Sequence, residues 1–471
     1  MSNGNSSNSA DVKNLVHPYT NLGNHQTTGP MIFERGEGVY VYDDQGRRFL
    51  EGMSGLWSAS LGFSEERLAN AAIEQFKKLP YYHLFNSRSN KPAIDLSAKL
   101  LEMAPDSLGK VLFSNSGSEA NDAALKLVWF YNNAMGRPNK KKIISRWRGY
   151  HGVTVASASL TGLAANHQDF DLPIDRVLHT DCPSYYHDAK PGESESQFTQ
   201  RIVNNLEQMI LKEGPDTVAA FIAEPVMGAG GVIVPPAGYF ELVQKVLKKY
   251  DILFIVDEVI CGFGRTGNMF GSETFGLRPD IMTVAKALSS SYLPISATMV
   301  SQSIYDKLVE QSDKIGVFAH GVTYSGHPIC AAVALETLNI YQERNIVGHV
   351  QQVAPHFQQR LHELSAHPLI GQTRGVGLIA ALELTADKAT KRPFDAAIKI
   401  ERVVQENVAK HGVLVRGVRN AVALCPPLII TVEQIDELFD ALTKGLDDTL
   451  AWLSESGAAA DHANENTAAA K

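Results

Sequence analysis

Short apolar runs alternate along the middle of the chain with segments whose apolar residues recur at helical spacing. The runs predict β-strands at 110–113, 142–145, 217–223, 252–256, 280–285 and 294–300. The run 252–256 is apolar throughout, which is typical of a strand that is buried on both faces. The periodic segments predict helices at 67–78, 94–103, 123–131 and 239–250. This alternation predicts a doubly wound, mostly parallel α/β sheet.

The two ends of the chain have other patterns. Residues 38–50 alternate apolar and polar side chains around an Asp-Gln-Gly turn, which predicts a β-hairpin. Beyond about residue 330 the pattern predicts helices at 331–341, 347–364, 396–410 and 435–453, and strands at 375–383 and 413–415. We expect a large domain at 60–330, a small α+β domain at 331–456, and an N-terminal segment, 13–59, that packs with the small domain. Residues 1–12 and 457–471 contain few large apolar side chains and are predicted to be disordered.

Composition narrows the classes of function. The chain has 471 residues, of which 44% are hydrophobic, so it can fill more than one core. The formal net charge of -8, from 43 Lys and Arg against 51 Asp and Glu, disfavours nucleic acid as a partner. No apolar run reaches transmembrane length, and residues 1–9 lack the apolar stretch of a signal peptide. We therefore expect a cytoplasmic protein with no membrane partner.

The spacing of the cysteines is not that of metal ligands. Their positions are far apart, with no CxxC spacing and no cluster that joins them to histidines: Cys182, Cys261, Cys330 and Cys425. This pattern is typical of a reducing compartment, and it predicts no metal site.

Lys286 is the first candidate for chemistry. It follows the predicted strand 280–285 and is surrounded by small residues. A lysine that is taken out of water loses its proton more easily and becomes a nucleophile. The alternative is a lysine at a strand end whose amine simply reaches solvent. The groups at the other predicted strand ends distinguish between these two interpretations of Lys286.

Other predicted strand ends offer complementary groups. Ser116, Gly117 and Ser118 lie between strand 110–113 and a helix, where unpaired backbone N–H groups form an anion site, although either serine could merely cap the helix. Tyr150 could stack on a flat ring, and Glu224 is an acid after an apolar strand that needs a partner. With Asp257 and Lys286, these groups match the requirements of pyridoxal phosphate.

A competing motif lies at 262–267, where the sequence satisfies GxGxxG after a strand and so raises a dinucleotide-binding hypothesis. The context argues against it. Residues 268–279 are polar and contain Gly and Pro, so they do not open a periodic helix, and the acids precede the glycines.

The motifs at 114–121, 150–152, 223–225, 257–259, 262–267 and 285–286 resemble those of the class III, or ω-amino, transaminases of pyridoxal-phosphate fold type I, over residues 30 to 455. The resemblance implies that Lys286 forms the Schiff base and that Asp257 contacts the ring nitrogen. It implies that Tyr150 and Val259 cover the two faces of the ring, and that Gly117 and Ser118 bind phosphate. Further residues implied for the cofactor site are Ser116, His151 and, behind the direct contacts, Glu224. Thr323 would complete the phosphate site of the neighbouring subunit, so a homodimer or a dimer of dimers is implied.

Within the family, the chain most resembles the amine:pyruvate branch. The substrate pocket implied by this resemblance is formed by Leu56, Trp57, Phe85, Tyr150, Ala229 and Arg416. Ornithine- and GABA-type relatives carry an arginine where this chain has Ala423, whereas Arg416 resembles the mobile arginine that pairs with the carboxylate of the acceptor. The alternative for Arg416 is a surface ion pair. Relatives often have glycine at the position of Ser291.

The predicted reaction moves an amino group from a primary amine to pyruvate or a similar keto acid, in a ping-pong cycle through pyridoxamine phosphate. Aryl-alkyl amines, diamines and ω-amino acids all remain candidate donors, and a preference for the (S) amine is only a family expectation. The alternatives are a decarboxylase or an aminomutase on the same scaffold and, more distantly, a non-catalytic cofactor-binding protein or a dinucleotide-dependent oxidoreductase.

Overall fold

The computed structural model describes residues 7–456 and contains three β-sheets. The strands, in chain order, are β1 (Phe33–Glu37), β2 (Tyr40–Asp43), β3 (Arg48–Glu51), β4 (Lys110–Ser114), β5 (Lys142–Arg146), β6 (Val177–Thr180), β7 (Val218–Ala223), β8 (Leu253–Asp257), β9 (Ile281–Val284), β10 (Ser296–Val300), β11 (Ile370–Val376), β12 (Ile379–Leu384), β13 (Val413–Leu414), β14 (Arg416–Val418) and β15 (Ala421–Leu424). 

The helices surround these sheets. They are α1 (Ser7–Asn14), α2 (Leu22–Thr28), α3 (Ser54–Trp57), α4 (Glu66–Lys78), α5 (Lys91–Met103), α6 (Gly117–Ala134), α7 (Val155–Leu160), α8 (Tyr185–Asp188), α9 (Glu195–Glu213), α10 (Tyr239–Lys249), α11 (Gly271–Phe275), α12 (Gln302–Ile315), α13 (Pro328–Glu343), α14 (Ile346–Glu363), α15 (Ile400–Lys410) and α16 (Val432–Ser456). No helix in residues 7–456 is both long enough and apolar enough to cross a membrane.

The largest sheet has seven strands in the order β4-β10-β9-β8-β7-β5-β6. Its strands are parallel except for β10, which pairs antiparallel with both β4 and β9. Every residue of β7 is buried, and its side chains are divided between two cores, one shared with α9 and α10 and the other with α6 and α12. Helices therefore cover both faces, and the predicted doubly wound α/β fold is confirmed.

The N-terminal hairpin pairs with the C-terminal part of the chain. Strands β2 and β3 form the predicted antiparallel hairpin, and β13 adds to β3 in parallel, with Val413 opposite Leu50. The third sheet has the order β11-β12-β15-β14. At the start of α16, the Thr431 side chain accepts the N–H of Gln434, and the Gln434 side chain accepts the N–H of Thr431, which forms a capping box.

Two predictions of local structure are wrong. The single strand expected at 375–383 is instead the hairpin of β11 and β12, because Gly377 has a φ of 57° and reverses the chain between them. The disorder expected at 1–12 does not hold for residues 7–12, which belong to α1 and whose Asp11 bonds to two histidines farther along the chain. Residues 1–6 and the predicted disordered tail at 457–471 lie outside the described residues.

The glycine-rich segment 262–267 connects parts of the fold. Arg265 is buried, and its guanidinium donates to the carbonyl oxygens of Leu378 (2.9 Å) and Pro426 (2.6 Å). The helix that follows, α11, has only five residues. The segment therefore joins the large sheet to the C-terminal strands and does not open the long helix that a dinucleotide site requires.

Candidate active site

A cavity of about 540 Å³ lies beyond the carboxyl ends of the central strands of the large sheet. Most of the side chains that the sequence singles out line this cavity: Leu56, Trp57, Gly117, Ser118, Tyr150, His151, Glu224, Ala229, Asp257, Val259, Lys286 and Arg416. The lysine and the aspartate come from the neighbouring strands β9 and β8. Parallel strands present their carboxyl ends at one edge of a sheet, so residues far apart in sequence meet there.

Lys286 stands in a strained turn directly after β9. Its φ is 47°, and Ser290 and Ser291 follow with φ values of 49° and 59°, in a region that side-chain-bearing residues rarely adopt. The N–H of Ser291 donates to the carbonyl oxygen of Lys286 (3.2 Å), which closes the turn. Burial lowers the pKa of the Lys286 amine, and the negative charges of Asp257 and Glu224 partly oppose that shift.

Asp257 is held by three donors at the end of β8. One carboxylate oxygen receives hydrogen bonds from His151 Nδ1 and Asn121 Nδ2, both at 2.8 Å, and the other receives the N–H of Val259 at 3.1 Å. The side chain is 3% exposed. A buried carboxylate that is bonded in this way keeps a single orientation toward the cavity.

Glu224 is a buried residue of the cavity wall and has the partners that its burial requires. Its carboxylate accepts the N–H of Tyr150 (2.9 Å) and the N–H of Gly228 (3.1 Å). Burial raises the pKa of Glu224, although the nearby His151 ring lowers it in part. Glu224 therefore fixes the backbone on which the Tyr150 ring is carried.

Helix α6 directs its N-terminus at the cavity. The Ser116 side chain accepts the N–H of Glu119 (3.2 Å) and Ser116 does not line the cavity, so the structure shows the capping role for this residue. Gly117 and Ser118 form the first turn, where N–H groups lack helical partners. A Cβ at Gly117 would lie 3.1 Å from Val259 Cγ1, so a larger residue there would require the Val259 side chain to shift.

Arg416, at the start of β14, lines the cavity, as does the nearby Arg419. In residues 7–456, no acid forms an ion pair with the Arg416 guanidinium. Within these residues, the structure therefore does not show the surface ion pair that was the alternative interpretation of Arg416. Burial lowers the pKa of Arg416, and the nearby Tyr150 and Tyr19 oppose the shift. An arginine without an acid partner in a cavity is available to an anionic ligand.

Phe85 and Thr323 do not reach the cavity of their own chain. Phe85 is 45% exposed, and its ring lies 3.3 Å from the position of a Cβ at Gly321. The Thr323 carbonyl oxygen accepts the hydroxyl of Tyr81 at 2.9 Å. The two residues therefore lie close to one another on a surface loop region, apart from the residues around Lys286.

Two contributors were missed by the sequence analysis. Asn121 bonds to both Asp257 and the His151 carbonyl oxygen, and its place in the motif 114–121 was the only available signal. Tyr19 lies at the rim of the cavity, where its hydroxyl accepts from Asn166 Nδ2 (2.6 Å) and its ring stands 6.5 Å from that of Tyr150. No periodic pattern in the N-terminal segment pointed to Tyr19.

Comparison with known proteins gives a consistent family. Residues 22–446 match the model of the family "Aminotransferase class-III". Curated relatives include gamma aminobutyrate transaminase 3 of Solanum lycopersicum, 53% identical over 437 residues (92% of this chain, 84% of the relative). Another is gamma-aminobutyrate transaminase 1 of Oryza sativa subsp. indica, 53% identical over 425 residues (90% of this chain, 82% of the relative).

Solved structures agree with this assignment. The omega transaminase from Pseudomonas jessenii, in complex with PMP, is 52% identical to the chain and superposes with a TM-score of 0.94, covering 95% of this chain and 99% of the other. A transaminase determined with L-alanine is 55% identical, with a TM-score of 0.89, and covers 90% of this chain and 100% of the other.

The residues present fit pyridoxal phosphate. The N-terminus of α6 with the Ser118 hydroxyl suits the phosphate, and Asp257 offers a carboxylate to the ring nitrogen. Val259 and Tyr150 provide surfaces for the two ring faces, and the amine of Lys286 lies in the same cavity. The predicted cofactor is therefore confirmed for a family that depends on it. The chain belongs to the class-III aminotransferases.

Proposed function

We propose that this aminotransferase takes the amino group of a primary amine and passes it to pyruvate or a similar keto acid, by ping-pong kinetics. The single observation that carries the proposal is the presence of Arg416, without an acid partner, in the same cavity as Lys286 and Asp257. One cavity then serves two half-reactions. An amine donor that has no carboxylate needs the apolar walls, and a keto acid needs the guanidinium.

Lys286 is proposed to carry the proton. Bound pyridoxal phosphate supplies the electron sink that stabilises negative charge at the substrate carbon. Burial lowers the pKa of the Lys286 amine, which favours its neutral form. In this form the amine takes the proton from the substrate carbon and passes it to the cofactor carbon that receives the amino group. Asp257, oriented by His151 and Asn121, keeps a proton on the ring nitrogen.

The walls of the cavity favour donors with an apolar body. Trp57 is 4% exposed and packs with Val226 and Ile260, so it is both a packing residue and a cavity wall. Leu56 and Ala229 add apolar surface beside it. Aryl-alkyl amines and diamines meet these surfaces, and the carboxylate of an ω-amino acid would bind Arg416, as that of pyruvate would.

The names of the relatives do not decide between these three classes of amine donor. Plant relatives are named gamma-aminobutyrate transaminases, and one similar structure was engineered for the synthesis of enantiopure bulky amines. Ala423 lies at the position where GABA-type enzymes carry arginine, so Arg416, which lines the cavity, is the arginine that we propose for a carboxylate of the donor. A panel of amine donors with pyruvate will rank the three classes.

The proposed reaction predicts a spectroscopic cycle. Primary amines without keto acid should bleach the visible absorbance of the protein-bound cofactor, and pyruvate should restore it with formation of one alanine per amine consumed. Release of carbon dioxide, or isomerisation of the amino acid without alanine, would favour a decarboxylase or an aminomutase. Absence of any change in the spectrum would contradict the transaminase proposal.

Replacement of Arg416 by leucine should separate the two half-reactions. A charged hydrogen-bonded pair contributes roughly 1.5 to 3 kcal/mol, so we expect KM for pyruvate to rise about 10- to 100-fold. The rate of bleaching by an uncharged aryl-alkyl amine should stay within about threefold, since that half-reaction does not need the guanidinium. The matched control is Arg402→Leu, whose arginine is exposed and paired with Glu406. An unchanged KM for pyruvate would remove Arg416 from acceptor binding.

We propose that the active unit is a homodimer, as such or as half of a dimer of dimers. Phe85 and Thr323 lie outside the cavity of their own chain, so each is placed to complete the cavity of a partner. Exposed apolar side chains nearby, including Tyr81 and Tyr324, support a covered surface. Sedimentation at assay concentration should give at least two chains per particle, and a fully active monomer would refute this arrangement.

A further inference from the structure

A cluster of metal-ligating side chains lies in the N-terminal segment, away from Lys286. Asp11 comes from α1, His17 from the connection, and His25 from α2. His17 Nε2 lies 2.9 Å and His25 Nε2 lies 3.0 Å from the same oxygen of Asp11. The candidate ligand atoms of the three residues all lie within 4.8 Å of one another. Three parts of the segment therefore bring their candidate ligand atoms close together.

The chemistry of the three groups is that of a transition-metal site. Two imidazoles and one carboxylate suit Zn²⁺ and related divalent ions, whose bonds to His nitrogen and carboxylate oxygen are about 2.0 to 2.2 Å long. The centres of the two rings are 4.1 Å apart. With an ion present, each ring proton would move to Nδ1, and a water molecule would fill the fourth position.

The segment needs such a link, because it has almost no core of its own. Among residues 7–31 only His25 is buried, and Leu15, Val16 and Leu22 are all exposed. Helices α1 and α2 have eight and seven residues, lengths that are not stable alone in water. Small units without a core are commonly held by a metal or a disulfide, and no cysteine lies in this segment.

We propose that Asp11, His17 and His25 bind one divalent transition-metal ion, with zinc as the natural fit, and that this ion fixes the N-terminal segment at the rim of the active site. Tyr19, two residues after His17, is the side chain that the ion would position against Asn166 and Tyr150. This inference departs from the sequence-based expectation of no metal site, which considered the cysteines and excluded residues 1–12 from the fold.

Binding is tested on the full-length holoenzyme after treatment with a chelator, with Co²⁺ and Zn²⁺ as the probes. The native chain should retain one ion per chain after gel filtration, and Co²⁺ should give the visible absorbance of a low-coordinate site. His17→Gln and Asp11→Asn should each weaken binding by about tenfold or more, since even indirect contacts to a metal are worth 10- to 100-fold. The asparagine keeps the shape and the hydrogen-bond acceptor of Asp11 but loses its charge.

The matched control is His411→Gln, because His411 bonds to Asp448 at 2.7 Å without a second imidazole. It should bind the ion as the native chain does. Absence of stoichiometric binding by the native chain would overturn the proposal, and so would native affinity in His17→Gln. Neither readout depends on transaminase turnover.

Limited trypsin digestion tests the structural role without any variant. Lys13 is the only Lys or Arg before Arg35, and it lies between Asp11 and His17. Zn²⁺ should slow cleavage after Lys13 in the native chain by about tenfold or more, since the open form is what the protease cuts. The ion should have no such effect in Asp11→Asn. An unchanged rate of cleavage in the native chain with Zn²⁺ would show that any bound ion does not hold this segment.

Discussion

Lys286→Ala is expected to reduce turnover at least about 10³-fold, within the range of 10² to 10⁴ that a positioned acid or base contributes. The amine lies in the cavity, and burial lowers its pKa, which favours the neutral form that accepts a proton. Glu224 cannot replace it, since both of its carboxylate oxygens are bonded to backbone N–H groups. Turnover is measured as alanine formed from pyruvate with a saturating amine.

A buried lysine elsewhere supplies the control for that variant. Lys140 is 4% exposed, and its amine donates to the Tyr250 carbonyl oxygen at 3.1 Å, far from the cavity residues. Lys140→Met should keep kcat once circular dichroism shows that the chain is folded. Added methylamine should restore part of the activity of Lys286→Ala, because a small base can enter the space that is left. Native turnover by Lys286→Ala would refute the proposed role.

Asp257→Asn is the second large expected effect. An asparagine keeps the size of the side chain but removes the charge that holds a proton on the ring nitrogen. Groups aimed at developing charge are worth on the order of 10² to 10³ in kcat, and we expect a loss in that range. The rate of bleaching by an amine, followed in a stopped-flow instrument, isolates this step from acceptor binding.

The matched substitution is Asp43→Asn. Asp43 is also buried and accepts hydrogen bonds from backbone N–H groups, but it lies in the hairpin of β2 and β3. We expect Asp43→Asn to lower the free energy of unfolding without changing the rate of bleaching by an amine. If Asp257→Asn bleached at the native rate, electrostatic support of the ring nitrogen by this residue would be excluded.

Short-range patterns were sufficient for the centre of the molecule. Strands β7, β8 and β9 are apolar apart from Thr283 and the terminal Asp257, so their limits could be predicted to within about two residues, a margin typical for element ends. The rule that parallel strands end at one edge of a sheet then brought Asp257 and Lys286 together. The site followed from the fold because its main groups are attached to regular strands.

The parts that escaped prediction depend on contacts between residues without a local pattern. Helix α1 and Tyr19 are placed by polar contacts, in particular those of Asp11, and these leave no apolar periodicity to detect. The turn between β11 and β12 depends on one glycine with positive φ, which a run of small apolar residues conceals. Phe85 and Thr323 lie outside the cavity of their own chain, and the role proposed for them requires a second chain, so the pattern of one chain cannot define it.

All four cysteines of the chain are free and buried, and burial raises the pKa of each thiol. The native thiols are therefore poor targets for maleimides and other alkylating labels. A cysteine introduced at Val16, which is 81% exposed, would be the reactive thiol in the described part of the chain. A fluorophore or spin label attached there would report on the N-terminal segment at the rim of the active site, with no need to remove a native cysteine.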